Sequence, residues 1–519
     1  MAEWSKAPDS KSGVPKGTVG STPTLSSENQ IWTAPPGEMT EWPKVHDWKS
    51  CVPQGTEGSN PSLSSAVNSP TAPSLARELR TLGGLAAPFV AAQVGMMTLG
   101  VVEAAIAGRA GTGVLAAVSL GNAWTHGTGL AAMGVVLGAD PIISQGYGAG
   151  DTRGVALTFQ RSIILSLLLG AIVGAAWLFT APVLRLAGQD PKLVADGARF
   201  VAVQAPTAFG LLLFTVNRQY LAGRGLVSPA FWVTVAVNLI NLVVTWWLVF
   251  GGAGLPALGV LGAGLGGAVA RLLMPGLLLA VTFFWGLHRA AWVPWGREVL
   301  APAPMAHILR LGLPIGLQFG LEVWAFQLTT LLAGRLGLVP LGAHTIVLNL
   351  ASFSFMFPLG ISMAASVRVG NLVGAGDLRA ARRSALLALA LGAGVMSLFA
   401  FTFYFLRWHL PALYSADPQV TAAAASILPI AAGFQMLDGT QVVASGILRG
   451  LGRTRPAAVA TLVGYYLLAL PLGWLLGLRH GQSLAGLWWG LATGLAVVAI
   501  ALVTWILRPG TFAVARTTT

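Results

Sequence analysis

The chain has 519 residues, 55% of them hydrophobic and only 9% charged, with a mean hydropathy of +0.71. A soluble globular protein carries about 25% charged residues, so the composition excludes a soluble fold and points to an all-α integral membrane protein. The net charge of +13 is read as basic residues that set membrane orientation, and no nucleic-acid partner is expected.

The first segment differs from the rest. Residues 3–27, EWSKAPDSKSGVPKGTVGSTPTLSS, recur at 41–65 as EWPKVHDWKSCVPQGTEGSNPSLSS, and this tail holds five of the six lysines and no arginine. Nothing in it has an amphipathic or apolar period. Its Gly-Ser-Asn-Pro run back-translates to GGTTCGAATCC, the T-arm of a bacterial transfer-RNA gene, so tandem transfer-RNA sequence read as protein would produce such a repeat. A disordered tail rich in Pro, Ser and Gly is the alternative. Residues 1–75 are expected to be a disordered or spurious extension, and no function is assigned to them.

A bilayer core needs about 20 apolar residues per helix. Twelve such stretches follow, at 82–108, 114–143, 155–180, 195–222, 229–250, 261–287, 308–335, 341–369, 382–408, 422–448, 457–478 and 484–507. Their halves repeat. AGRAGTGVLAA at 107 matches AGRLGLVPLGA at 333, QGYGAGD at 145 matches NLVGAGD at 371, and AGRGLVSP at 222 matches RGLGRTRP at 449. Pro88 and Pro314, candidate kinks or hinges, share the same register. Two six-helix lobes are therefore expected, at 76–298 and 299–519. An even number of helices per repeat returns the chain to its starting side, so the lobes should be related by pseudo-two-fold symmetry along the membrane normal. Loops after even-numbered helices carry Arg153, Arg224, Arg289, Arg297, Arg379, Arg382, Arg383 and Arg453 among others. The positive-inside rule places them, and both termini, in the cytoplasm.

Eleven acids follow residue 70, and three fall within spans: Glu103, Glu322 and Asp438. A charge at the centre of a membrane helix costs about 2.5–3.5 kcal/mol on insertion scales. Such a carboxylate is relieved by taking up a proton or by coordinating a hard cation such as sodium, and either makes it a candidate gradient sensor. Gln318 lies one turn before Glu322, and Gln435 and Gln441 flank Asp438 at three residues on either side, giving polar stripes. Asn238 and Asn241 are placed to complete a site with Glu103, or to bond between helices. By repeat register Glu322 corresponds to Met96, Asp438 to Leu211 and Glu103 to Thr329, so the carboxylates are not copied between halves. Arg271 lies inside the sixth span with three roles open: pairing with an acid, lining a wet cavity, or snorkelling. SFSFMFP at 352–358 either lines a lipophilic pocket or packs between helices and lipid.

Other chemistry finds no support. Cys51 is the only cysteine, the seven histidines show no metal spacing, and there is no GxxxxGK[ST] loop. No cofactor and no enzymatic activity are expected.

LPIGLQFGLEVWAF (313–326), GAHTIVLNLASFSFMFPLGISMAASVRVGNLVGAGD (342–377) and FQMLDGTQVVASGILRGLGRTRP (434–456), in that order, resemble the multidrug and toxic compound extrusion (MATE) family, NorM branch, over roughly residues 80 to 507. The resemblance implies a twelve-helix antiporter of the bacterial inner membrane, a monomer among membrane lipids, that expels lipophilic, cationic small molecules in exchange for Na+ or H+. It assigns cation coupling to Glu322, eight residues after Pro314, and to Asp438, which opens a D-x-x-Q-x-x-x-x-G-x-L-R-G pattern; these two would also be the sodium ligands. A third coupling candidate is the helix 1 acid five residues before a glycine, usually Asp in the family and Glu103 here, a change that keeps the charge and lengthens the side chain. Asp140 and Arg271 stand outside the family pattern. A lipid-precursor flippase or an exporter of a specific metabolite is the rival expectation, and a flippase would favour a strongly cationic interior.

Overall fold

The computed structural model describes residues 75–186, 188–252, 254, 256–479 and 483–513, and every element among them is helical. The tail expected to be an extension lies outside the described residues. Eleven helices are long and apolar enough to cross a bilayer, and a bent pair makes a twelfth. In chain order these are α1 (Leu75–Ala110), α2 (Thr112–Gly148), α3 (Thr152–Leu178), the bent pair α4 (Pro191–Gln204 and Thr207–Gly223), α5 (Ser228–Phe250) and α6 (Val260–Phe284). They continue as α7 (Pro302–Gly334), α8 (Leu338–Gly374), α9 (Leu378–Phe405), α10 (Pro418–Gly450), α11 (Arg455–Arg479) and α12 (Leu484–Leu507). The chain is a multi-pass membrane protein.

The repeated motifs are helix punctuation. In QGYGAGD and NLVGAGD the last glycines, Gly150 and Gly376, turn the chain at φ 76° and 84°, a region where a side chain is strained. Asp151 and Asp377 then accept from the Gly154 and Ala380 amides and cap α3 and α9. Asp190-Pro191 and Asp417-Pro418 open α4 and α10 in the same way, the aspartate capping and the proline filling the first turn.

Two spans depart from simple rods. α4 bends by 47° at Ala205-Pro206, where proline has no amide hydrogen to donate and its ring crowds the preceding turn. α11 runs as π-helix over Leu462–Ala469 and Leu475–Arg479, on either side of Pro471, so the wider turns absorb the missing donor. Pro88 and Pro314 lie inside helices that continue unbroken through them.

Packing couples the first six helices to the last six by exchange. The largest apolar cluster belongs to α7–α12 and takes in Leu82, Leu85, Ala86 and Phe89 of α1. A cluster of α1–α6 takes in Ile308 and Leu311 of α7. The seams close on small residues: a Cβ on Gly134 of α2 would lie 2.6 Å from the Gly316 Cα of α7, and one on Gly360 of α8 would lie 2.6 Å from the Val90 nitrogen of α1. Backbones that approach this closely are held by dispersion and interhelical hydrogen bonds, since lipid offers no hydrophobic drive between helices.

At the arginine-rich end the exchange is made by polar groups. Gln145 Nε2 donates to the Gly450 carbonyl at 2.8 Å. With its amide nitrogen turned to the acceptors, Asn371 donates to the Ser144 carbonyl at 2.7 Å and the Gly223 carbonyl at 3.1 Å. A Cβ on Gly148 would overlap the Asn371 carbonyl, and one on Gly374 would overlap the Gln145 carbonyl. Each motif thus uses its first residue to grip the other half and its glycine to admit the other's grip. Arg368 of α8 adds a bidentate pair with Glu78 at the start of α1, both contacts at 2.8 Å. The segment joining α6 to α7 is tied down by Tyr220, whose hydroxyl donates to the Ala291 carbonyl at 2.7 Å, and by Arg224, which donates to the Leu287 carbonyl at 2.6 Å.

Candidate functional site

The acid-bearing faces of α7 and α10 meet inside the second half. Glu322 is 8% exposed and Asp438 4% exposed, and their carboxylates lie within each other's electrostatic reach. Gln441 on α10 donates through Nε2 to Glu322 Oε1 at 3.0 Å, and Gln318 on α7 donates to the Ser445 hydroxyl of α10 at 3.0 Å. Each helix thus reaches across to the other with an amide, which fixes the two stripes in register. Neither carboxylate has an arginine, lysine or histidine partner among the described residues.

Unsatisfied oxygens gather around the pair. Asp438 Oδ1, Gln441 Oε1, both amide atoms of Gln435 and the Tyr465 hydroxyl are buried with no hydrogen-bond partner among the described residues. Tyr465 sits on α11 in the field of both carboxylates, and its neighbour Tyr466 donates to the Leu321 carbonyl at 3.2 Å. Buried polar atoms without partners carry a desolvation cost, and a set dominated by oxygen suits a hard cation or a proton with water. No cluster of three or more His, Cys, Asp or Glu is present among the described residues, so any sodium ion here would be held by two carboxylates with amide and phenol oxygens. Tyr465 was not legible as a site residue: a tyrosine in the apolar run LVGYYLLALPLG carries no spacing signal, and only folding places it against α7 and α10.

The first half is different. Glu103 on α1 is fully buried, and Arg271 on α6 reaches it at 3.2 Å and also donates to Gln204 Oε1 at 3.1 Å. Of the three roles open to Arg271, pairing with an acid is the one observed. Neither Asn238 nor Asn241 donates a hydrogen bond to Glu103. Asn238 donates to the Gly95 carbonyl at 2.7 Å, and Asn241 to the Thr245 hydroxyl at 3.0 Å and the Gly266 carbonyl at 3.2 Å, so both serve interhelical or local bonding. Of SFSFMFP, Phe353 and Phe357 pack on Phe399 of α9.

Asp140 proves to be a junction. Its carboxylate accepts from the Ser366 hydroxyl at 2.7 Å and meets Arg449 Nε at 3.2 Å, both from the second half. Arg218 of α4, bonded to Gln93 at 3.0 Å, lies in the field of both charges.

A family model described as MatE matches the chain twice, at residues 88–247 and 314–475. The two matches begin on Pro88 and Pro314 and together cover more than half of the chain. The chain belongs to the MatE family. The repeat legible in the sequence is therefore the family's own unit. A NorM multidrug resistance protein from Burkholderia vietnamiensis is 34% identical over 83% of this chain and 94% of its own. A protein described as a probable NorM from Deinococcus radiodurans is 36% identical over 83% and 95%. Multidrug and toxin extrusion protein 1 of Mus musculus is 32% identical over 81% and 73%. Among solved structures, the eukaryotic MATE transporter AtDTX14 superposes with a TM-score of 0.78 at 24% identity, covering 84% of this chain and 96% of its own. The Vibrio cholerae MATE transporter VcmN in its bent form gives 0.73 at 19%, covering 83% and 96%. At these identities the structures speak for the fold alone, and this MatE chain shares it.

Proposed function

We propose that this chain is a secondary antiporter of a bacterial inner membrane, with both termini in the cytoplasm, that expels lipophilic, cationic compounds in exchange for Na+ or H+ at Glu322 and Asp438. The observation that carries the reading is the pairing of two buried carboxylates on different helices, with no cationic side chain against them among the described residues and partnerless oxygens around them. Two like charges in a low dielectric repel strongly, so the pair is relieved by a proton or a bound cation. A cation from outside then favours the state that releases substrate, and substrate from the cytoplasm favours release of the cation, as linkage between two ligands requires. Six-helix lobes, 76–298 and 299–519, rock about the seams of α1 with α8 and α2 with α7, with Pro88 and Pro314 as yielding points. The ion is cargo, and no resident cofactor or catalytic step is assigned.

A flippase of lipid-linked precursors would present free arginines to an anionic head group. Here Arg271 is committed to Glu103 and Arg449 to Asp140, which disfavours that reading.

Everted vesicles loaded by an imposed sodium or proton gradient provide the test, with ethidium, a planar lipophilic cation, as probe. Gradient-driven ethidium uptake is expected in wild type and its loss in Glu322→Gln and Asp438→Asn. Uptake indifferent to both gradients, or full gradient-driven uptake in both variants, overturns the assignment.

A further inference from the structure

The two halves hold their buried acids in opposite ways, and the difference sits on one residue. In the second half two carboxylates face partnerless oxygens. In the first half one carboxylate pairs through Oε2 with an arginine that is itself only 17% exposed at the side chain, its Oε1 being buried without a hydrogen bond. We propose that Arg271 is a tethered cation that takes, in the first half, the place a coupling ion takes in the second, so that Glu103 exchanges no ion and Arg271 sets the number of ions exchanged per substrate. This rests on the reading of Glu322 and Asp438 as the coupling site.

Three observations carry it. The first is that Arg271 is held on both sides, by Glu103 Oε2 at 3.2 Å and Gln204 Oε1 at 3.1 Å, so its guanidinium is placed by α1 and α4 together. The second is that the α6 backbone makes room for the pair: a Cβ on Gly267 would lie 2.5 Å from both Arg271 Nη1 and Glu103 Oε1. The third is that Asn238 and Asn241 spend their Nδ2 groups on the Gly95 carbonyl, the Thr245 hydroxyl and the Gly266 carbonyl, and their Oδ1 atoms are buried without a partner, so neither amide donates to Glu103 and Arg271 is the charged donor that does. The repeat makes the contrast plain. Stepping from Arg271 by the register of the halves lands on Val497 or Val498, and from Glu103 on Thr329, so the pair is an addition of the first half alone. His126 of α2 is the other ionisable group in the field of both charges; its Nδ1 is engaged with the Asn122 carbonyl at 2.8 Å.

An arginine suits the role because its guanidinium stays charged at any physiological pH. It neutralises Glu103 permanently, whereas a proton or sodium ion comes and goes. Removing the guanidinium leaves a buried carboxylate that must recruit a mobile cation in its place.

The test counts ions displaced when ethidium binds the purified full-length protein in detergent, reading protons with a dye in weak buffer and sodium with an ion-selective electrode. Arg271→Gln is expected to raise the count by one relative to wild type. Arg271→Lys, which keeps the charge, and the double variant Arg271→Gln with Glu103→Gln, which removes both members, are expected to keep the wild-type count. An unchanged count in Arg271→Gln, or a lower count in the double variant, overturns the proposal. Glu322→Gln run alongside reads the underlying site separately: if it keeps the wild-type count, the coupling site is misplaced whatever Arg271 does.

Discussion

Asp140 shows how a single carboxylate can join two halves of a membrane protein. It is 5% exposed, and it holds Arg449 and Ser366 of the second half while Arg218 of its own half stands close behind. Removing one partner of a buried ion pair costs about 3–5 kcal/mol, because the other charge is left uncompensated. Asp140→Asn is therefore expected to lower the unfolding temperature in detergent more than Asp140→Asn combined with Arg449→Gln, and equal losses would contradict the pairing. The sequence exposed Glu322, Asp438 and Glu103 because a charge in mid-span has a cost that demands an answer. It did not expose Asp140, which lies near the end of its span, just before Pro141, and whose partner Ser366 is 226 residues away. Nor could it pair Glu103 with Arg271, since both stand alone in apolar runs and only tertiary packing brings them together. At Gly267 the same logic gives a second expectation. Gly267→Ala crowds the Glu103–Arg271 pair and should destabilise the protein in detergent, whereas Gly276→Ala, where a Cβ meets open space, should not.

The helices themselves were the most legible level, because long apolar stretches with few charges can satisfy their backbone in lipid only as helices. The expected stretch at 484–507 coincides with α12, and 229–250 differs from α5 by one residue at its start. The bend in α4 and the π-turns of α11 were not visible, although Pro206 and Pro471 were. A proline in a membrane helix is compatible with a continuous, bent or widened helix, and Pro88 and Pro314 lie in helices that stay continuous. The repeated GAGD motifs read as a repeat before they read as caps, and their grip on each other needed the fold. That grip is testable. In a Cys51→Ser background with Ala222→Cys as reporter, buried at the arginine-rich seam, a membrane-impermeant maleimide should label slowly. Adding Gly148→Val, whose side chain collides with the Asn371 backbone, should speed labelling from the arginine-rich side. Unchanged labelling would mean the contact does not hold that side closed.

For the whole molecule, a symmetric scaffold carries asymmetric chemistry. The two family matches, the exchanged seams and the reciprocal Gln145 and Asn371 bonds obey the repeat, whereas Glu322 with Asp438 and Glu103 with Arg271 do not. On the proposed function, the seams would govern opening while the second half senses the ion. The most direct measurement is the affinity of the purified protein for ethidium, titrated against sodium at fixed pH and against pH at fixed sodium. Wild type is expected to lose affinity by roughly tenfold as the coupling ion saturates its site, and the doubly neutral variant Glu322→Gln with Asp438→Asn to bind ethidium independently of both ions. Ion-dependent affinity that persists in the double variant would contradict the assignment of coupling to this carboxylate pair.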